Sequence, residues 1–331
     1  GTDPKVMHLS LPYVQWMLAG SPLLFVYIIY TSILRGVGDS LTPLIALSLT
    51  SLMGLVITPI LIAGYFGFPR LGIIAPAIAT ILGYLAVLIF LVIYLNKKNH
   101  PLKMDVHLLR QIRHQPNLSK VILRLGIPTG LQMVTTSMAG LVIVGLVNRH
   151  GAEATAAYGA VNQVLNYIQF PALSIAIAAS IFAAQAIGAG KAELLAKVTR
   201  TALGMNLLIT GILVTLGYLF SKYLMALFIT DPAVVVLGQQ LLFIVLWAIL
   251  FFGASAIFAS IMRASGTVNV PMLINILAIV LIEVPCAYFF SQWWGLQGIW
   301  YAYALAFVSL CIGQGAYYQF VWKKKTIQVL V

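Results

Sequence analysis

Glu283 is the side chain whose position could do the most chemistry. It sits in Val280-Leu281-Ile282-Glu283-Val284-Pro285, inside a long apolar run. The other acids, Asp3, Asp39, Asp105, Glu153, Glu193 and Asp231, fall in loops or at the ends of such runs. An unpaired charged carboxylate at the centre of a bilayer costs about 2.5–3.5 kcal/mol on insertion scales. Such a group therefore faces a cavity, holds a proton or meets a cation. Pro285 has no backbone N–H, so it frees a carbonyl that could ligate a cation or accept from a proton donor. Glu283 thus reads either as a proton or substrate-cation site, or as a protonated carboxyl bonded to a neighbouring helix. A polar stripe is the second constellation. Thr155, Tyr158, Asn162, Asn166 and Gln169 recur at steps of three and four and share one helix face, with Gln163 just off it. Hydroxyls and amides can bind drugs or Na+ without the cost of a buried charge. They can equally serve as interhelical glue, worth about 0.6–2 kcal/mol per bond. Gln132, Thr135 and Thr136, in the run that follows Pro128, together with Asn275 and Tyr303, complete the candidate cavity lining. Trp300, Tyr303, Phe307, Gln314 and Tyr318 lie roughly on one face of the last run. Aromatics there could stack on flat cations, although packing and interfacial anchoring account for them as well.

The elements that must carry these residues follow from composition. Of 331 residues, 61% are hydrophobic and 8% charged, against about 25% charged in soluble domains. That excludes a soluble enzyme, a disordered chain and a nucleic-acid module, despite a net charge of +12. The class is an all-α polytopic membrane protein, because the runs are too long and too uniformly apolar for barrel strands. Nine spans are expected, near 8–34, 43–64, 72–95, 121–148, 154–187, 201–220, 233–262, 271–290 and 297–321. Pro12, Pro22, Pro59, Pro76, Pro171 and Pro285 fall inside them and should bend or break their helices. Alternating the spans puts 15 of the 19 Lys and Arg residues on one side of the membrane. By the positive-inside rule that side is cytoplasmic, with the C-terminus inside. Cys286 and Cys311 lie in apolar runs and read as small buried hydrophobes. Arg35 and Arg263 read as headgroup anchors at equivalent helix ends. The Gly188-x-Gly190 pair lacks the preceding strand of a nucleotide loop. His100, His107 and His114 could approach a metal, but no acid or Cys supports them, and a solvated linker is the simpler reading.

An internal repeat organises the spans. Asp3-Pro4 recurs as Asp231-Pro232, and at the same offset Arg35, Gly38 and Pro43 match Arg263, Gly266 and Pro271. Two residues then drop out, and Pro59, Gly72 and Ile73 match Pro285, Gly298 and Ile299. The copies have one orientation, so two six-helix lobes related by a pseudo-two-fold are expected. Residues 1–95 would be a partial N-terminal lobe of three helices, 96–119 a cytoplasmic linker with a short interfacial helix over 104–113, and 120–331 the complete second lobe. The expected whole has 12 spans, three of them upstream of Gly1.

Several segments resemble the multidrug and toxic compound extrusion (MATE) transporters. Leu34-Arg35-Gly36-Val37-Gly38-Asp39-Ser40-Leu41-Thr42-Pro43 is similar to the loop after their fourth helix. Pro69-Arg70-Leu71-Gly72-Ile73 and Ala77-Ile78-Ala79-Thr80 resemble the entry to their sixth, and Leu125-Gly126-Ile127-Pro128 the start of their seventh. Ala184-Gln185-Ala186-Ile187-Gly188-Ala189-Gly190-Lys191 resembles the loop after the eighth, and Gly295-Leu296-Gln297-Gly298-Ile299-Trp300 the entry to the twelfth. The resemblance implies an antiporter of the plasma (inner) membrane that exchanges H+ or Na+ for amphipathic organic cations as two lobes rock about a central cavity. It implies no enzyme activity, no metal, no cofactor beyond the coupling ion, no nucleic-acid partner, contact with membrane lipids, and a monomer. Many members carry a Glu eight residues after the proline of the seventh helix, where this chain has Thr136. Others use an Asp on the first helix, which has no counterpart here. The competing readings are a lipid-linked precursor or polysaccharide flippase of related fold, disfavoured by the lack of mid-span Lys or Arg, a membrane-embedded enzyme, and a transport-inactive fragment.

Overall fold

A computed structural model describes residues 4–103 and 115–325, with side chains from 11 onward. The expected interfacial helix over 104–113, and His107 and His114, lie outside the described residues. Among those described there are nine helices long and apolar enough to cross a membrane, three before residue 100 and six after residue 115. They fall at the nine expected places. The chain divides into two compact units, Gly1–His114 and Gln115–Val331.

The first unit contains α1 (Pro4–Gly36), α2 (Leu41–Ala63) and α3 (Ala75–Lys97), and α3 packs against both of the others. Its core forms where Val87, Leu91 and Leu95, one turn apart on α3, meet Tyr27, Tyr30 and Leu34 of α1 and Ala46 of α2. Lipid tails are as apolar as leucine, so close packing rather than water exclusion holds such helices together. Gly64 closes α2 in the left-handed region, at φ 73°, where a Cβ would strain the backbone. Pro76 lies in the first turn of α3 and not inside a helix as expected. A missing N–H costs nothing there, because first-turn amides have no intrahelical partner.

The loop between α1 and α2 is tied down. Asp39 accepts from the Thr42 amide at 3.0 Å and from the Thr42 hydroxyl at 2.6 Å. His100 approaches the same carboxylate at 3.6 Å, and the Tyr30 hydroxyl donates to the Leu102 carbonyl at 2.9 Å. His100 is therefore a packed partner of Asp39, with only 13% of its side chain exposed, and not part of a solvated linker. Partial burial pushes the Asp39 carboxyl up, but the two Thr42 hydrogen bonds and the neighbouring His100 and Lys98 outweigh it and hold the group below the usual carboxylate range.

The second unit contains α4 (Pro116–Asn148), α5 (Ala152–Gly188), α6 (Leu194–Leu219), the short α7 (Ser221–Ala226), α8 (Pro232–Val245), α9 (Ile249–Ala264), α10 (Asn269–Leu277), α11 (Val284–Trp294) and α12 (Leu296–Phe320). The closest pairing is α5 against α9. It rests on a face of small residues, Ala172, Ala176, Ala179 and Ala183, that lets the two backbones approach. Pro128 and Pro171 sit within uninterrupted helices. Two spans are broken instead. One is the run expected at 233–262, where a 3-10 turn at Leu246–Ala248 separates α8 from α9 without any proline. The other lies between α10 and α11, where Ala278–Glu283 forms a π-helical segment. The sixth span begins at Leu194 rather than near 201. Lys197 and Arg200 therefore ride on helix and not on the loop before it, since long cationic stems can lie along a helix while their heads reach the headgroups.

Candidate functional site

Glu283 closes the π-helical segment and directly precedes α11. The cause is local. Pro285 cannot donate to the Leu281 carbonyl and its ring crowds that oxygen, so the helix opens by a wider turn. Such π segments appear frequently at functional sites. The opened turn packs against α12 and, more lightly, against α4. Among the described residues Glu283 is the one acid in the middle of a membrane-crossing stretch, Asn269–Trp294. Glu153 is in the first turn of α5, Glu193 and Asp231 precede α6 and α8, and Asp39 lies between α1 and α2.

The neighbour of Glu283 is an aromatic cluster on α12. The segment that ends at Glu283 packs against α12, the helix that carries Tyr303. The Tyr303 hydroxyl shares a hydrogen bond with the Tyr158 hydroxyl of α5 at 3.1 Å. Trp300, fully buried, stands beside both rings, with centroids 5.4 Å from Tyr158 and 5.5 Å from Tyr303. Its indole N–H has no hydrogen-bond partner, nor does the side-chain oxygen of Asn275 on α10. An unmet buried polar atom costs about 1–3 kcal/mol. The Trp300 donor is thus left open beside the Tyr158–Tyr303 hydroxyl pair, and the open Asn275 acceptor lies two turns before Glu283 in the same span.

The structure treats the other expected residues unevenly. Tyr158 joins the Tyr303 cluster. Asn162 spends its amide on the Tyr158 carbonyl at 3.0 Å, and Thr155 bonds the Asn148 side chain at 2.9 Å. Asn166 is exposed and Gln169 half-buried on α5. Gln163 stands apart, lining a cavity of about 590 Å³ with Gly159, Thr230 and Asp231. On α4, Gln132 is half-buried, and Thr135 and Thr136 hydrogen-bond back to the Leu131 and Gln132 carbonyls at 2.9 and 3.0 Å. In the last span, Gln314 donates to the Pro271 carbonyl at 2.9 Å and Tyr318 pairs with Thr199 at 2.7 Å. Both sit in helix packing. The Tyr158–Tyr303 bridge was missed because it joins residues 145 apart, although each belonged to a recognised stripe. Among the described residues no cluster of three metal-ligating side chains occurs.

The chain is similar to several known proteins. The MatE family pattern matches residues 1–60 and 128–289. "Probable multidrug resistance protein YoeA" of Bacillus subtilis is 42% identical over 334 residues, which covers 100% of this chain and 72% of that protein. Among solved structures, a MOP superfamily transporter from Pyrococcus furiosus superposes with a TM-score of 0.88 at 20% identity, over 98% of this chain and 73% of that one. The MATE transporter VcmN of Vibrio cholerae gives 0.86 at 20% identity, over 99% and 73%. With nine apolar spans, a matching fold and a family pattern over most of its length, the chain is an integral membrane protein that belongs to the MatE family, the multidrug and toxic compound extrusion transporters.

Proposed function

We propose that the protein is a secondary active efflux carrier of the inner membrane, with its C-terminus cytoplasmic, that exchanges H+ or Na+ for amphipathic organic cations. The observation that supports this reading best is Glu283 on its unwound turn, which packs against the helix that carries Tyr303. A lone carboxylate in a membrane is unfavourable while charged, and a proton, a Na+ or a drug cation each relieves the same cost. Only one of them can do so at a time. Binding the coupling ion from outside therefore displaces the drug, and binding the drug from inside displaces the ion, which is the logic of exchange. The neutralised site crosses between its two access states more easily than the charged one, so the empty carrier does not leak. Tyr303 and Tyr158 supply ring faces for a flat cation, and the amides of Gln132, Asn162, Asn166, Gln169 and Asn275 with the hydroxyls of Thr135 and Thr136 offer neutral contacts. YoeA, the 42% identical relative, is named for multidrug resistance, and that name agrees with this substrate class.

The test is ethidium accumulation in drug-sensitive cells expressing the carrier, with expression checked by immunoblot. Wild type should lower accumulation, and Glu283→Gln should return it close to the empty-vector level. Replacing Na+ by choline at fixed pH, and then shifting pH at fixed Na+, separates the two coupling ions. If Glu283→Gln exports at the wild-type rate, Glu283 is a structural carboxyl and the assignment fails.

A further inference from the structure

A largely apolar recess with two cations in its lining lies away from Glu283 in sequence, and no acid lines it. It is a cavity of about 380 Å³ walled by α6, α9, α12 and the turn after α12. Ala196, Thr199, Arg200 and Leu203 follow the i, i+3, i+4, i+7 spacing of one face of α6, and Gly315, Tyr318 and Gln319 do the same on α12. Phe258 of α9 closes the apolar side, and Lys323 enters from the 3-10 turn Trp322–Lys324.

The recess is built and not incidental. The Thr199–Tyr318 hydrogen bond at 2.7 Å ties α6 to α12 at its wall. The turn that carries Lys323 is clamped, because buried Trp322 stacks on Tyr318 at 5.0 Å and donates to Ser265 at 2.9 Å. Gly315 lets the Phe258 ring close on α12, since a Cβ there would already stand 3.3 Å from it. Two cations are thus held over one cavity. Among the described residues the one ion pair is His100–Asp39, so neither Arg200 nor Lys323 has a carboxylate partner. Both are exposed and line the same cavity, so an anion bound there would meet two positive charges with no carboxylate competing for them.

The depth and the walls say which anion. Arg200 is in the second turn of one membrane span and Lys323 in the closing 3-10 turn of another, which places both near a membrane surface. Leu203 and Phe258 continue the recess away from Arg200 as an apolar wall. We propose that this recess is a binding site for an anionic phospholipid, its phosphate held by Arg200 and Lys323 and one acyl chain laid along Leu203 and Phe258. Basic pockets between membrane helices are a recurrent way of holding such headgroups, and each cation near the surface contributes about fivefold in affinity. Gln319 supplies an amide to the remaining phosphate or glycerol oxygens. Occupancy would bridge α6, α9 and the C-terminal turn, fastening the last span to its neighbours.

Native mass spectrometry of the purified transporter tests this, with phosphatidylglycerol and phosphatidylcholine of matched acyl chains added in equal amounts. The wild type should retain phosphatidylglycerol in preference by about tenfold or more. The double variant Arg200→Gln, Lys323→Gln should lose most of that preference. Lys197→Gln, which removes a cation from an adjacent face of the same helix, should keep it. Equal retention of the two lipids by the wild type overturns the proposal, as does an equal loss in Lys197→Gln. Displacement of the lipid by millimolar glycerol 3-phosphate would show a site for a free phosphate ester and would overturn it too. A thermal-shift measurement on both variants confirms that they fold.

Discussion

At the scale of single residues, the two carboxylates that matter sit in opposite settings. Glu283 stood out in the sequence because apolar neighbours on both sides leave a charge no cheap explanation. Its partners did not stand out, because Tyr303 and Tyr158 belong to helices whose pairing only the tertiary packing fixes. Asp39 had been placed in a loop, and nothing in its spacing pointed to His100, which reaches it from the far end of α3. Asp39 makes a prediction about stability. Its folded-state pKa is depressed, so its contribution is present in full above the unfolded value of about 3.9 and fades as pH falls through the lower folded value. Asp39→Ala should lower thermal stability in detergent by about 1 kcal/mol near neutral pH, as the loss of a capping residue does. The gap between variant and wild type should narrow as the pH falls through the depressed folded value. A gap that stays constant down to that pH would mean that the aspartate's charge contributes nothing.

At the scale of elements, hydropathy located every span, because about 20 apolar residues are a strong and local signal. The breaks were harder to see. The 3-10 turn at Leu246–Ala248 has no proline and no polar residue to announce it, whereas Pro285 did mark the opened helix around Glu283. The start of α6 was set too late because its first turns carry Lys197 and Arg200, which a hydropathy reading counts as loop. Glycines separate tight contacts from slack ones. A Cβ on Gly298 would collide with the Phe290 carbonyl, whereas one on Gly126 would meet nothing within 4 Å. Gly298→Ala should therefore push α12 off α11 and destabilise the protein by about 1–3 kcal/mol or more. Gly126→Ala, in the interior of α4, should be neutral or stabilise by up to about 1 kcal/mol. Melting curves of the two variants read side by side check the contrast, and equal melting temperatures would refute it.

At the scale of the whole molecule, the uneven placing of the cations behind the net charge of +12 supports the proposed orientation. If the side holding 15 of the 19 Lys and Arg residues faces the cytoplasm, a fluorescent protein fused after Lys325 should glow, and an alkaline phosphatase fused at the same point should be inactive. The reverse pattern would turn the orientation over. The internal repeat gives the π-helical turn a further meaning. Pro43 and Pro59 are two residues farther apart than Pro271 and Pro285, and each α-helical residue rotates the chain by about 100°. In a plain α-helix Pro285 would face about 160° away from the direction that Pro59 takes. A π turn takes up about one residue without rotating the chain, which cuts the difference to about 60°. The wide turn at Ala278–Glu283 is in this sense an azimuthal correction for a shorter segment, and the compass direction of the Glu283 carboxyl is set by it.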